Sequence, residues 1–437
     1  MRYSIALVSA LIFSGCVTQE LQTPQNDKQV VYDLVSLEQN ISAYTQNSKI
    51  TPFNSSQLEY EKSYFLPWNL EKPEKPLEEI QWAFKAYSPE NSYGENLQSL
   101  GQNFFDAMYK NANFDKYATV NKNAITLRHL NIRAFPTQRP LLLDPSKAGE
   151  GFPFDYLQNS TISANKPIFI SHYSLDGEWA HIFSSFTHGW VKSNDIVVLG
   201  KKYTDRWQNA QQVFFTKENQ PVYAEDGRFL FKSKIGIMLP LIEESDDYYT
   251  ILTISSLKAS DPLYEKVKIS KKISHKGALA FTKDNLENIV NEVSKTNYGW
   301  GGMYEQRDCS SMLRDLYAPF GVWLPRNSYK QAQIGEVISF DGLNDDQKRA
   351  LIMNKAIPFK TLLYKKGHIM LYIGSIDKKI IIFHNTWGIK TIEGKKEGRL
   401  VIGKPIFSTL QLGKEQKNYD IESELLRNLK SMNTLDF

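Results

Sequence analysis

The hydrophobic period changes twice along this chain, and those changes divide it. From 31 to 118 apolar residues recur at helical spacing with interruptions: Ile80, Phe84 and Tyr87 within Glu78–Tyr87, then Leu97, Leu100, Phe104, Phe105 and Met108 within Tyr93–Tyr109. Pro67, Pro73 and Pro76 punctuate the linker before them. From 119 to 272 the period drops to two. Short alternating runs such as Pro167–His172, Trp179–Ser184, Val222–Ala224, Ile235–Leu239 and Tyr248–Leu252 are separated by turns, with Gly177 and Gly189 among them. Strands at roughly ten-residue spacing predict two small all-β barrels, 119–202 and 203–272. From 273 to 437 helix and strand mix. Thr282 is placed to cap a helix through Glu292, a second helix is expected over Asp308–Tyr317, and strands at His368–Gly374, Ile380–Phe383 and Arg399–Ile402. The expected fold class is multidomain: a helical segment, two small all-β barrels, and an α+β domain.

Composition removes several classes. The 437 residues are 41% hydrophobic and 23% charged, which excludes wholesale disorder, collagen and coiled coil. Lys+Arg number 52 against 48 Asp+Glu, a net +4 too small to indicate a nucleic-acid partner. Aromatic residues reach 13%, which suits β-rich modules; on the barrels they serve either as core or as surfaces that stack on sugar or peptide.

The N-terminus reads as an address. Met1-Arg2 precedes an apolar run from Tyr3 to Phe13, then Ser14-Gly15-Cys16. This is the pattern of a secretory signal, and the run is too short for a spanning helix, which needs about 20 apolar residues. A Cys directly after Ser-Gly is similar to a bacterial lipoprotein signal. On that reading residues 1–16 are the signal peptide, Cys16 carries lipid, and 17–30 form a polar tether. The alternative is a plain signal peptide with an incidental Cys. The expected location is extracytoplasmic and anchored to a bacterial membrane, on the periplasmic face in a Gram-negative cell. Cys309, the second of two cysteines, would then be a lone thiol in an oxidising compartment.

Cys309 stands in Asp308-Cys-Ser-Ser-Met-Leu-Arg-Asp315, which reads as loop into helix with Asp308 as the cap. A thiol in the first helical turn meets free N–H groups and the positive end of the dipole, so its pKa is expected to fall. A further N–H of that turn can serve a developing oxyanion. Inert packing is the other explanation of a single buried Cys. His368 lies at the mouth of the apolar strand in Lys366-Gly-His-Ile-Met-Leu-Tyr-Ile-Gly374, and His384 follows Ile380–Phe383. A thiolate nucleophile needs a base, and the base needs a third group to hold its tautomer. Cys309, His368 and His384 can fill those roles if the helix start abuts the strands. His129, His172, His181, His188 and His275 are read as structural or surface residues.

Tyr298-Gly-Trp-Gly-Gly302, Asp308-Cys309-Ser310, Gly367-His368 and His384 together resemble the NlpC/P60 cysteine peptidases of bacterial cell walls. Leu324-Pro-Arg-Asn-Ser328 with Gln331 fits the segment after the nucleophile helix in that family. Asp-Gly-Glu-Trp179 and Gly189-Trp-Val191 resemble bacterial SH3-type modules. The resemblance implies a papain-like catalytic domain over 273–437, a stabilising N-terminal domain over 31–118 and SH3-like barrels between. The order resembles γ-D-glutamyl-L-diamino acid endopeptidases, so peptidoglycan stem peptides or muropeptides are the implied partners and meso-diaminopimelate or Lys the implied diamino acid. Carried over, Cys309 attacks the γ-amide carbonyl of D-Glu, His368 acts as base and then acid, and His384 orients it. Tyr298 would help hold the oxyanion, and Gly301 and Gly302 would let that loop approach the substrate. Ser310, Asn327 and Ser328 would line the pocket for the L-Ala end, and Arg326 would pair either with a substrate carboxylate or with a local carboxylate. Asn327 stands where stem-peptide-recycling members commonly carry Asp. An amide gives a weaker, uncharged hydrogen bond, so a free L-Ala ammonium is not strictly implied. Glu150 and Asp155 are alternative sources of that charge.

Two other readings compete. One is a lipid-anchored, SH3-type wall-binding protein whose last domain is catalytically dead. The other keeps the core but changes the reaction to that of an amidase or acyltransferase. Neither cofactor nor metal is expected: no Cys or His pair has ligand spacing, and Gly299-Trp-Gly-Gly302 lacks the Lys of a phosphate-binding loop.

Overall fold

A computed structural model describes residues 30–435 apart from 47, 55–56, 148 and 259–260. The apolar leader, Cys16 and nearly all of the 17–30 tether lie outside the described residues. Among the described residues no helix is long and apolar enough to cross a membrane.

The first β domain is a seven-stranded open sheet in the order Gln158–Ile162, Leu130–Arg133, His188–Lys192, Trp179–Ser184, Pro167–Tyr173, Lys122–Thr126, Ile196–Val198. The second is a five-stranded sheet built on Gln212–Phe215, Met238–Glu244, Tyr248–Lys258, Asp261–Ser270 and Ser274–Lys276, with a hairpin of Pro221–Tyr223 and Phe229–Lys232 beside it. The C-terminal domain carries a six-stranded antiparallel sheet in the order Glu336–Ser339, Leu429–Thr434, Thr361–Lys365, His368–Ile376, Lys379–Glu393, Lys396–Thr409. The expected class therefore holds: a helical N-terminal region, two SH3-like β domains and an α+β domain.

Local capping explains where the two helices of the last domain start. Thr282 accepts from the Asn285 N–H and opens Lys283–Val293. Asp308 opens Cys309–Tyr317 through a capping box with Ser311. Leu286, Ile289 and Val293 of the first helix and Met312, Leu313 and Leu316 of the second are buried against Leu362, Ile369, Leu371 and Phe383 of the sheet. Each such aliphatic side chain contributes about 2 kcal/mol of burial.

The N-terminal region is helical only in short pieces. The expected helix over Glu78–Tyr87 breaks at Gln81 into Leu77–Ile80 and Trp82–Ala86. The one expected over Tyr93–Tyr109 starts only at Gln102, because Tyr93 is bridged to Leu142 and Leu97 adopts a positive φ of 61°. The segment packs as a strap on every other domain. The Trp68 indole donates to the Ala124 carbonyl at 2.7 Å, and the Tyr64 hydroxyl donates to the Met238 carbonyl at 3.2 Å. The Asp33 carboxylate accepts from the Thr409 N–H at 2.7 Å and its hydroxyl at 2.9 Å. Cores run across domain borders: Tyr60, Phe65 and Trp68 share one cluster with Val197, Phe214, Ile251 and Ala318.

Buried histidines, His172 and His384 among them, set the acid limit of this fold. His172 is fully buried, its Nε2 bonded to the Ala112 carbonyl at 3.0 Å, and burial lowers its pKa to about 4. Burial, then the Lys365 charge, lowers fully buried His384 to about 3. The unfolded chain takes up these protons near pH 6.5 and the folded chain does not. Stability from keeping them neutral is therefore full above that pH and is lost as pH falls toward 4, by on the order of 3 kcal/mol for each group. Urea denaturation at pH 7.5 and at pH 4.5 is expected to show a clear fall in midpoint at the lower pH; equal midpoints would refute this account.

Candidate active site

The site assembles where the Cys309 helix begins against the end of the His368–Ile376 strand. Cys309 is the first helical residue and 6% exposed. The N–H groups of Ile369 and Ser310 both favour its thiolate, as expected of a helix start. They do not prevail. Burial first, and the neighbouring Asp308 carboxylate second, push the thiol up to about 12, so the expected fall in pKa is reversed. The helix end favours an anion only modestly, whereas full removal of the sulfur from water penalises one strongly.

Asp308 is itself held ionised. Burial would raise its pKa, but the Arg326 charge and hydrogen bonds from Arg326 and Ser311 bring it below the usual carboxylate range. Arg326 bonds both Asp308 oxygens, at 3.1 and 2.6 Å, the Ser310 hydroxyl at 3.0 Å and Ser160 of the first β domain at 2.7 Å. Its guanidinium is thus committed to the cap, which is the local ion pair of its two expected roles. Ser310 lies between these two groups and is buried. The Asn327 side chain accepts the Lys330 N–H and caps Ser328–Gln331. Cys309, Ser310, Arg326, Asn327, Ser328 and Tyr298 do share one cleft.

The histidines form a directed chain. Ser408 donates its hydroxyl hydrogen to the Thr409 carbonyl at 3.1 Å, so its oxygen accepts from His384 Nε2 at 3.0 Å. His384 Nδ1, left without a hydrogen, accepts from His368 Nε2 at 2.8 Å. This bonding pattern assigns the tautomers and leaves His368 Nδ1 bare. Burial, then His384 and Lys365, hold the His368 pKa well below its ordinary value. Thiol and imidazole are therefore both neutral at rest. Tyr298 is anchored by its N–H on the Gly403 carbonyl at 2.8 Å; burial, then the nearby Cys309 and Asp308 charges, raise its pKa well above normal, so its hydroxyl stays a donor.

Two arms open from this centre and share Tyr156, Tyr298, Trp300 and Gly367 on their walls. The arm holding Cys309, of about 530 Å³, runs between the first β domain and the strap past Gln158, Trp82 and Tyr87. The other, of about 280 Å³, holds His368, His384 and Trp387. Gly301 and Gly302 carry this loop, and Gly301 stands on the wall of the larger arm. They let the loop press on the first β domain, where an added Cβ would lie 2.3 Å from the Gln158 carbonyl oxygen or the Thr161 hydroxyl, at positive φ values of 58° and 82°. Asp155 is also unavailable as a substrate anion, being paired with buried Arg133 at 2.6 Å. His188, read as structural or surface, stands on the wall of the larger arm.

Sequence reasoning missed Ser408, Lys365 and Lys75, which lines the larger arm from the strap. A serine inside the apolar run Ile406-Phe407-Ser408 and a Lys at the hairpin before Gly367-His368 were the available signals. The raised thiol has a direct consequence. Alkylation of Cys309 by iodoacetamide, without substrate, should accelerate steadily above the ordinary thiol midpoint near 8.5 and still be rising at about pH 10. A rate that levels off near neutrality would contradict the neutral resting pair.

Residues 295–396 match the NlpC/P60 family, 5–117 the NlpC/P60 N-terminal stabilising domain, 140–192 an SH3 domain of SH3b1 type and 201–246 an SH3 domain of SH3b2 type. Comparison with curated proteins found no match. The solved structure of an NlpC/P60 endopeptidase from Photobacterium damselae subsp. piscicida is 22% identical, with a TM-score of 0.79 over 91% of this chain and 97% of that one, a likeness of fold. An NlpC/P60 family protein from Bacillus cereus is 14% identical with a TM-score of 0.46, over 72% of this chain and 99% of that one. The chain therefore carries an NlpC/P60 family domain, preceded by the NlpC/P60 N-terminal stabilising domain and by two SH3 domains.

Proposed function

We propose that the protein is a cysteine peptidase that hydrolyses peptidoglycan stem peptides at the γ-D-glutamyl-L-diamino acid bond, through Cys309, His368 and His384. The observation that carries this reading is the bare Nδ1 of His368, fixed by the His384–Ser408 chain on the strand whose next N–H reaches the Cys309 sulfur. The solved neighbour of like fold is itself an NlpC/P60 endopeptidase.

Because thiol and imidazole start neutral, the proton moves as the bond forms. Cys309 Sγ attacks the amide carbonyl while its proton passes to His368 Nδ1. The oxyanion takes hydrogen bonds from the Tyr298 hydroxyl and from N–H groups of the helix start. His368 returns the proton to the leaving amine, and the C–N bond breaks to give a thioester. Water, deprotonated by His368, releases the acid and restores the thiol. His384 steadies the transient imidazolium, and Ser408 keeps His384 in the accepting tautomer.

The larger arm suits the L-Ala-γ-D-Glu side. Among the described residues, no unpaired carboxylate lines it: Asp308 is bound by Arg326, and Glu79 beyond the lining is bound to Lys75. Lys75 and Lys330 lie on its walls. This supports a stem peptide whose L-Ala is acylated, as in glycan-linked peptide, rather than one with a free ammonium. The Tyr3–Phe13 run and Cys16 support a lipid-anchored, extracytoplasmic protein.

Incubation with defined muropeptides and mass analysis of the products tests the reading. The wild type is expected to cut after γ-D-Glu, and Cys309→Ala to abolish cleavage without unfolding. Ser408→Ala should lower kcat by about tenfold, the worth of one ~1.4 kcal/mol hydrogen bond, with KM unchanged and recovery in Ser408→Thr. Undiminished hydrolysis by Cys309→Ala ends the peptidase reading; a product cut at another bond moves it to an amidase or acyltransferase.

A further inference from the structure

The arm on the His368 side has an unusual charge. Lys365, Lys366, Lys390 and Arg399 line it, and among the described residues no Asp or Glu does. Its walls are aromatic, with Tyr156, Trp300, Trp387 and Tyr419. Two of the cations have carboxylates behind them: Lys390 pairs with Glu397 at 2.6 Å and Asp420 at 3.3 Å, and Arg399 faces the same two groups.

Lys365 differs. It ends the strand Thr361–Lys365, and the turn Lys366-Gly367, with Gly367 at a φ of +79°, pairs it across the hairpin with His368. Directly opposed residues of an antiparallel pair project from the same face, so Lys365 and His368 point to the same side of the sheet. Lys365 is half-buried and makes no ion pair among the described residues. Burial, then the like charge of Arg399, lower its pKa. A cation withdrawn from water with no partner is unfavourable and is relieved when an anion arrives.

We propose that Lys365, with Lys366 beside it, forms an anion subsite on the leaving-group side of the scissile bond, accepting a carboxylate borne by the amine-side residue. This rests on the peptidase reading and sharpens it. A diamino acid whose side chain ends in both ammonium and carboxylate, as diaminopimelate does, fits the subsite. Lysine, which brings only another cation into an arm already lined by four, does not. The aromatic walls take the methylene stem in either case.

The experiment separates binding from turnover. Cys309→Ala protein is titrated calorimetrically with L-Ala-γ-D-Glu-meso-diaminopimelyl-D-Ala, with the same peptide amidated at the side-chain carboxylate, with the L-Lys counterpart, and with the L-Lys tripeptide ending in a free α-carboxylate. The diaminopimelate peptide is expected to bind about tenfold tighter than its amide or the Lys tetrapeptide, a ratio worth ~1.4 kcal/mol. Adding Lys365→Met should remove that advantage and leave the other two affinities unchanged, while Lys365→Arg should keep it; near-ultraviolet circular dichroism checks the fold of each variant. A Lys tripeptide that binds as tightly as the diaminopimelate peptide assigns the same subsite to a terminal α-carboxylate. Equal affinities for all peptides, a loss spread evenly over them in Lys365→Met, or no binding of any peptide overturns the proposal. Failure of the parent reading looks different: the diaminopimelate peptide binds to Cys309→Ala, yet the wild type never cleaves it.

Discussion

The first turn of the Cys309 helix is held by buried charges from two domains and a hydroxyl from a third, and the rest of the site inherits its position from them. Arg326 ties the capping Asp308 to Ser160 of the first β domain. Arg307, the residue before that cap, pairs with Glu218 of the second β domain at 2.7 Å and with Asp315 of its own helix at 2.8 Å. The Arg307 carbonyl accepts from Asn385, next to His384, at 2.7 Å. Stripping one partner from such a buried pair typically costs about 3–5 kcal/mol, because the other charge is left unpaired in a dry interior. The two β domains thus behave as fixed walls around the start of the Cys309 helix. That is a stronger role than a wall-binding accessory on a flexible tether would have.

The same burial that makes the clamp stiff makes the sulfur reluctant to ionise. Local helix geometry pulls the thiol toward the anion, while desolvation and the Asp308 charge pull it back and win. Desolvation also keeps His368 and His384 neutral. Cys309 and His368 are both thereby biased against a resting ion pair, and the histidine chain through Ser408 fixes which His368 nitrogen is left bare. A buried, protonated thiol of this kind reacts slowly with oxidants and alkylating agents, because the thiolate is the reactive form.

What was legible in the sequence was local. Thr282 and Asp308 mark helix starts through caps that need only three residues of context, and the alternating runs of the β domains carry their own period. The triad candidates were legible as residue types at ends of elements. The errors have a common cause in distance along the chain. The helical spacing of Tyr93–Tyr109 was overridden by a bridge to Leu142, forty-odd residues away. Arg326 was read without Ser160, Gly301 without Gln158, and Asp155 without Arg133, and each partner bears on the role. Lys365 and Ser408 became visible only once hairpin register placed one opposite His368 and the other within reach of His384. The pKa of Cys309 was misjudged because a helix start can be recognised from sequence, whereas its depth cannot.

The Asp33 clasp on Thr409 joins residues 376 positions apart, one step from the serine that ends the histidine chain. A ribosome extrudes these two partners at opposite ends of its work, so the clasp closes only after almost the whole polypeptide has emerged. Domain-by-domain maturation in order of synthesis is therefore barred at this point. A half-made or C-terminally clipped chain lacks the far side of the joint, which gives the hydrolase domain a built-in means of staying incomplete until its last strands have been delivered.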